Sequence, residues 1–342
     1  MDWSAIISRW RSHATLRVLG LILLGQLVSF SIALMSLSSS LIAQLGVDAP
    51  LTQSLSTYAS LALVYGSILL YRHHKPLVSW YWYLLLGFVD VQGNYLVNKA
   101  YQYTSITSVT LLDCWTIPWV LILTWIFLGT RYSLWQLSGA ALCVLGLCLV
   151  ILSDTWVGGG GGSRPILGDV LVIAGTLFYG ISNVGEEFCV KRKDQVEVVS
   201  MLGLYGFLVT IVEVSVIELK TLESVKWSTD IVLAFVGYAL SSFMLYTFAP
   251  FVLKLSGAAM FNLSLLTSDM WAVVFKVFLY HQEVDWLYFL SFALVVIGLI
   301  VYSATEKDTA IPAPATEDGN LNTQYQMLHD ESTVSENGSF AS

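Results

Sequence analysis

The sequence predicts an all-α polytopic membrane protein, ten transmembrane helices arranged as two inverted five-helix repeats. Three observations carry this expectation. The 342 residues are 56% hydrophobic and only 12% charged, against about 25% charged in an average soluble domain, so polar surface is too scarce to clothe soluble domains of this length. The apolar residues gather into ten runs, each near the roughly 20 helical residues that span a bilayer core of about 30 Å. Landmarks of the first half also recur in the second.

The ten segments are 18–37, 54–71, 78–100, 105–128, 134–152, 167–188, 198–218, 230–253, 257–280 and 285–303, with the third and eighth the least apolar. The first follows Arg9, Arg11 and Arg17, but its apolar run is too long for the core of a typical signal peptide, so it reads as a retained helix. Residues 1–17 form a cytosolic N-terminus, 18–152 the first repeat, 153–166 a non-cytosolic linker, 167–303 the second repeat and 304–342 a tail. The linker holds five consecutive glycines, Gly158 to Gly162, and reads as flexible. The tail carries seven acids and one base and reads as disordered; its Tyr325–Leu328 stretch fits a tyrosine-based sorting pattern.

Basic residues orient the bundle. With the N-terminus cytosolic, eleven fall on the cytosolic side, among them Arg72, Lys75, Arg131, Lys191, Arg192 and Lys193, and four on the other: Lys99, Arg164, Lys220 and Lys226. Both termini are therefore expected in the cytosol. The repeat shows in Ser105 and Ser256, and in Trp135 and Trp286, both pairs 151 residues apart. Gly139 with Ser291, and Gly146 with Gly298, are 152 apart. Five helices per half turn the second half upside down relative to the first. Inverted repeats place a substrate near the midplane between halves that rock, which implies transport; a duplicated scaffold would show the same landmarks. The small faces Gly139/Gly146 and Ser291/Gly298 also suit homodimerisation.

An ionisable or amide group in hydrocarbon is a functional candidate because it is costly to leave unpaired. Asp90, Asn94, Asn98 and Tyr101 share one face of the third segment. The fourth carries Thr107, Thr110, Asp113 and Thr116, with Pro118 freeing the carbonyl of Cys114. In the sixth, Tyr179, Asn183, Glu186 and Glu187 form a stripe. Glu186 reads as a solvated helix end near Lys191, Arg192 and Lys193, and Glu187 as a gate or latch. In the ninth, Asn262, Asp269 and Lys276 lie two turns apart, so Asp269 and Lys276, about 10 Å apart along the axis, need other partners. Lys276 and Lys99 can snorkel toward the outer face. Glu213 stands alone in the seventh segment.

The deep charges are acidic: Asp90, Asp113, Glu213 and Asp269. A cavity for an anionic cargo would place cations at its centre, so this one suits a cationic or hydrogen-bonding solute with aromatic stacking. Burial favours the protonated carboxyl, so proton coupling is a further expectation. His73 and His74 lie in a short basic loop as topology determinants rather than metal ligands. Cys114, Cys143, Cys148 and Cys189 form no C-x-x-C pair and read as small buried hydrophobes. The sequons at Asn262 and Asn337 fall in the membrane and the cytosolic tail and should stay unmodified. No basic stripe for nucleic acid, no cofactor or metal motif and no catalytic triad appear, so the chain does not read as an enzyme.

Several runs resemble the F subfamily of solute carrier family 35. They are Asn94-Tyr95-Leu96 with Lys99-Ala100-Tyr101-Gln102-Tyr103-Thr104, Leu111-Leu112-Asp113-Cys114 with Ile117-Pro118, Tyr179-Gly180-Ile181-Ser182-Asn183-Val184 with Glu186-Glu187, and Asn262-Leu263-Ser264-Leu265-Leu266-Thr267 with Asp269. The resemblance spans residues 18–303 in order. It implies a member of the drug/metabolite transporter superfamily, with ten helices in two inverted repeats, and a secondary transporter. By that match Asn94, Lys99, Tyr103, Asp113, Asn183, Glu187, Asn262 and Asp269 are site candidates, and Thr267, at the end of the last run, is a further substrate-binding candidate. Asp90, Asn98 and Tyr179 rest on the helical stripes, as does Lys276, which with Glu187 is a candidate for gating or coupling rather than for binding. The leading expectation is a carrier of a nucleobase- or nucleoside-like solute or organic cation, its partners that solute and membrane lipid. The alternatives are a nucleotide-sugar antiporter of the secretory pathway and a non-transporting receptor or scaffold; plasma membrane and endomembrane both remain open.

Overall fold

The computed structural model describes residues 3–72, 80–104, 109, 112–113, 115–156, 165–268, 270–271 and 286–304. The expectations for Thr107, Thr110, Cys114, His73, His74, the glycine linker, Asp269, Lys276 and the tail lie outside the described residues. Within them every regular element is helical.

The first helix, α1 (Trp3–Gln44), stops where Gly46 takes a φ of 79°. Val47 N–H then reaches back to the Ile42 carbonyl at 3.2 Å and Gly46 N–H to that of Ala43 at 3.0 Å, satisfying carbonyls the helix end would leave bare. Pro50, which has no N–H to lose, opens α2 (Pro50–Tyr71). The next two free donors of α2, Leu51 N and Thr52 N, bond the Glu218 carboxylate at 2.7 and 2.8 Å. A remote side chain thus caps this helix.

α3 (Trp80–Ala100) and α4 (Thr116–Leu123) follow. α4 widens into a π-helical turn, Thr124–Leu128, whose Thr124 hydroxyl bonds the Val120 carbonyl at 2.6 Å. After α5 (Leu134–Trp156) and α6 (Pro165–Arg192) comes α7 (Gln195–Glu213). It continues through a second π-helical turn, Val214–Glu218, and a last piece, Leu219–Ser224. α8 (Thr229–Leu265) is interrupted at Gly257, with φ 83° and ψ 173°. That break stands where the expected eighth and ninth segments meet. α9 (Trp286–Ala304) completes the described fold.

Five stretches are long and apolar enough to cross a membrane: Gly20–Gln44, Pro50–Tyr71, Ile166–Arg192, Gln195–Ser224 and Thr229–Leu265. Large apolar side chains such as Leu63, Leu70, Val216, Leu233 and Leu240 face outward along them, as a hydrocarbon solvent requires. The most extensive helix packings are α1 with α8, α5 with α9, α2 with α7 and α3 with α6.

The α5–α9 packing accounts for two of the four small residues expected to suit a homodimer. A Cβ on Gly139 would meet the Gly298 carbonyl oxygen at 2.8 Å, and one on Gly298 would meet Cys143 Sγ at 2.5 Å. This small-residue face is closed within the chain, because only the missing side chains allow the two backbones to approach so closely. Gly139 and Gly298 therefore offer no surface to a second copy.

Candidate functional site

A cavity of about 130 Å³ lies among α1, α3, α4, α6 and α8. The helical stripes of the sequence converge on it: Asp90, Asn94 and Asn98 from α3, Asp113 and Thr116 at the start of α4, Tyr179, Asn183 and Glu186 from α6, and Asn262 from α8. Tyr101, Tyr246 and Phe261 supply aromatic wall, and Ile32, Met35 and Leu245 apolar wall.

The polar groups of this wall fall into two kinds. Asp90 is saturated: it accepts from Tyr58 at 2.6 Å, Tyr246 at 2.5 Å and Ser182 at 2.9 Å. Asn94 donates to the same two tyrosine oxygens at 2.8 Å each and accepts from Tyr179 at 3.0 Å. One carboxylate thus ties α2, α3, α6 and α8 together by charge-assisted bonds, the stronger class of hydrogen bond. Asn98 is likewise engaged, donating to Tyr238 at 2.9 Å.

Asp113 and Glu186 are of the other kind. Asp113 Oδ1 and Glu186 Oε1 are buried with no hydrogen-bond partner. Glu186 is only 4% exposed, which corrects its reading as a solvated helix end: it lies on the inward face of α6, and two of the basic residues beyond it, Lys191 and Arg192, have other partners. Lys191 bonds Glu187 at 2.5 Å and Arg192 stacks over Phe188, 4.0 Å from the ring centroid.

Glu187 holds the break in α8. Its second oxygen accepts the Ala258 N–H at 2.7 Å, a free donor that opens the helical stretch 258–265. One turn further along both helices, Asn183 donates to Asn262 at 3.0 Å, and Asn262 donates to the Ala258 carbonyl at 2.8 Å. Two polar rungs, one of them on the cavity wall, therefore dock this stretch onto α6.

Three expected site residues lie elsewhere. Lys99 pairs with Asp48 and sits over the Tyr103 ring, 5.8 Å from its centroid, and neither Lys99 nor Tyr103 lines the cavity. The flexible Lys99 chain reaches the acid of the α1–α2 connection instead of the interior. Thr267 bonds Ser29 at 2.6 Å and Gln26 at 3.0 Å, locking its segment to α1. Glu213, left without a partner by the sequence, receives Gln92 at 2.5 Å. Sequence reasoning missed Tyr58, Ser182 and Tyr246. Ser182 sits three residues after Tyr179 and could have been read from that stripe, whereas Tyr58 and Tyr246 meet Asp90 only through tertiary packing.

The family model of solute carrier family 35 (SLC35F) matches residues 14–304. The chain belongs to solute carrier family 35. Solute carrier family 35 member F2 of Mus musculus is 36% identical over 88% of this chain and 83% of its own length. The Xenopus tropicalis member F2 is 35% identical over 87% and 80%. An uncharacterized family 35 member of Schizosaccharomyces pombe is 34% identical over 82% of this chain and 56% of its own. A crystal structure at 16% identity matches with a TM-score of 0.67, covering 83% of this chain and 96% of that one; it speaks for the fold alone. Family 35 members are transporters rather than enzymes, so this member is a multi-pass membrane protein of a transporter family.

Proposed function

We propose that this family 35 member is a secondary transporter that moves a small polar heteroaromatic solute, nucleobase- or nucleoside-like or an organic cation, by alternating access through the cavity. The charge of the wall carries this reading. Asp90, Asp113 and Glu186 line it, and no Lys, Arg or His does so among the described residues. Such a wall repels phosphate and suits neutral or cationic hydrogen-bonding cargo. Its volume is close to the ~150 Å³ of an engineered cavity that holds benzene, and Tyr101, Tyr179, Tyr246 and Phe261 offer rings to stack on.

Alternating access between two inverted five-helix repeats is supported by the packing. Exchanging the halves of the sequence turns the α3–α6 pairing into the α8–α1 pairing and carries α2–α7 and α5–α9 onto themselves. Coupling to protons through the cavity carboxyls belongs to the same proposal, as do cytosolic termini.

Uptake by purified protein in liposomes tests it, with a nucleobase and nucleoside panel beside a nucleotide-sugar panel. Uptake of the first panel, reduced in Asp113→Asn and driven by an imposed pH gradient, is expected. Counterflow of nucleotide sugars instead would replace the cargo class, and indifference to the gradient would remove proton coupling.

A further inference from the structure

The three cavity carboxylates do not share one role. Asp90 is satisfied by three hydroxyls and has no capacity left over that a solute must fill. Glu186 has none of this support. It is 4% exposed, lines the cavity, leaves Oε1 without a partner and belongs to no ion pair of the described residues. The cations nearest in sequence are taken, Lys191 by Glu187 and Arg192 by the Phe188 ring. Asp113, on the segment entering α4, which packs against α6, also has an oxygen without a partner. A buried carboxyl without a donor is left unsatisfied, and its ionised form, lacking a cation as well, is costly. A ligand that brings both relieves that cost, so affinity gathers at this point.

We propose that Glu186, together with Asp113, forms the subsite for a positively charged nitrogen group on a single-ring solute and selects cations over their neutral isosteres. The inference rests on the carrier reading and deepens it. The same cavity carries aromatic wall from Tyr179, Tyr246 and Phe261, which favours a flat cation over a compact one. A planar amidinium with two donors fits a carboxylate better than a point charge does.

Benzamidine, a cation, and benzamide, its neutral isostere, are the probes. Their effect on the unfolding temperature of the full chain in detergent is measured across a concentration series, for wild type, Glu186→Gln and Asp113→Asn. Benzamidine is expected to bind wild type about tenfold or more tightly than benzamide, as a charge-assisted pair allows. Glu186→Gln should erase that preference while leaving benzamide unchanged. Equal binding of the two probes to wild type, no binding of either, or undiminished benzamidine binding to Glu186→Gln would overturn the subsite. Asp113→Asn should weaken benzamidine binding without changing that of benzamide, and with the wild-type contrast it decides the matter even where Glu186→Gln does not fold. Liposome uptake separates the two claims. Uptake of neutral nucleobases without benzamidine preference sinks the subsite and keeps the carrier, whereas benzamidine binding with no uptake of any solute sinks the carrier and keeps the subsite.

Discussion

Replacing Gly257 by alanine should destabilise the protein strongly, and the size of the effect follows from two separate features. At φ 83° and ψ 173° the residue occupies a backbone region used almost only by glycine, where another residue costs of order 1–3 kcal/mol. The added Cβ would lie 2.7 Å from Glu187 Oε1 and 3.2 Å from its Cδ. Glu187 cannot swing aside freely, since its two oxygens hold Lys191 Nζ at 2.5 Å and Ala258 N at 2.7 Å. Losing the bond to the helix end adds about 1.5–3 kcal/mol. The expected total is about 2.5–6 kcal/mol, read as the shift in reversible unfolding by sodium dodecyl sulfate in mixed micelles. Glu187→Ala alone loses the bond but not the backbone strain, so the double variant should cost less than the sum of the singles. A Gly257→Ala protein within about 0.5 kcal/mol of wild type, or strict additivity in the double variant, would refute this account of the break.

Three further outcomes follow from the same geometry. Asp90→Ala strips the acceptor from Tyr58, Tyr246 and Ser182 at once and should cost at least about 3 kcal/mol in the mixed-micelle titration, given about 1–3 kcal/mol for each buried group left unpaired; Asp90→Asn, which keeps one acceptor oxygen, should cost less. Gly298→Ala drives a methyl to 2.5 Å from Cys143 Sγ and 2.7 Å from the Gly139 carbonyl and should cost about 1–3 kcal/mol by overpacking; Cys143→Ala should recover only part, and the mass in detergent should not change. Lys99→Met breaks a partly exposed pair with Asp48 worth about 1 kcal/mol, and should leave uptake of nucleobase-like solutes within about twofold, whereas a carrier that needed this cation for its cargo would lose uptake.

The membrane class and most helix positions were legible because hydrocarbon imposes one simple demand, a run of apolar residues long enough to span it. What the apolar pattern could not carry were the irregularities. Nothing in Val214–Glu218 announces a π-helical turn, because its consequence lies elsewhere: Glu218 reaches Leu51 and Thr52, more than 160 residues away in the chain. The expected eighth and ninth segments, 230–253 and 257–280, leave Lys254, Leu255 and Ser256 between them. Helical hydrogen bonding instead persists through these residues, and a single glycine makes the break. One residue in a backbone region closed to others changes direction without a polar loop, and the exposed donor beyond it is met by Glu187.

The site was half legible for a related reason. Helical spacing placed Asp90, Asn94, Asn98, Asn183 and Asn262 on shared stripes, and those stripes do converge on one cavity. Spacing gives direction about a helix axis but not what waits there. Glu186 and Glu187 are adjacent, so they point about 100° apart around α6. That angle separates a carboxylate held by Lys191 and the Ala258 N–H from one sealed against the cavity with no partner. Reading Glu186 as a solvated helix end took the helix terminus for its surroundings, whereas its direction about the axis sets them. The basic residues that follow were assigned to both glutamates on sequence proximity, yet Lys191 lies four residues after Glu187 and five after Glu186. An α-helix brings the first of those spacings together and turns the second aside. The same arithmetic that gives Glu187 its cation leaves Glu186 without one.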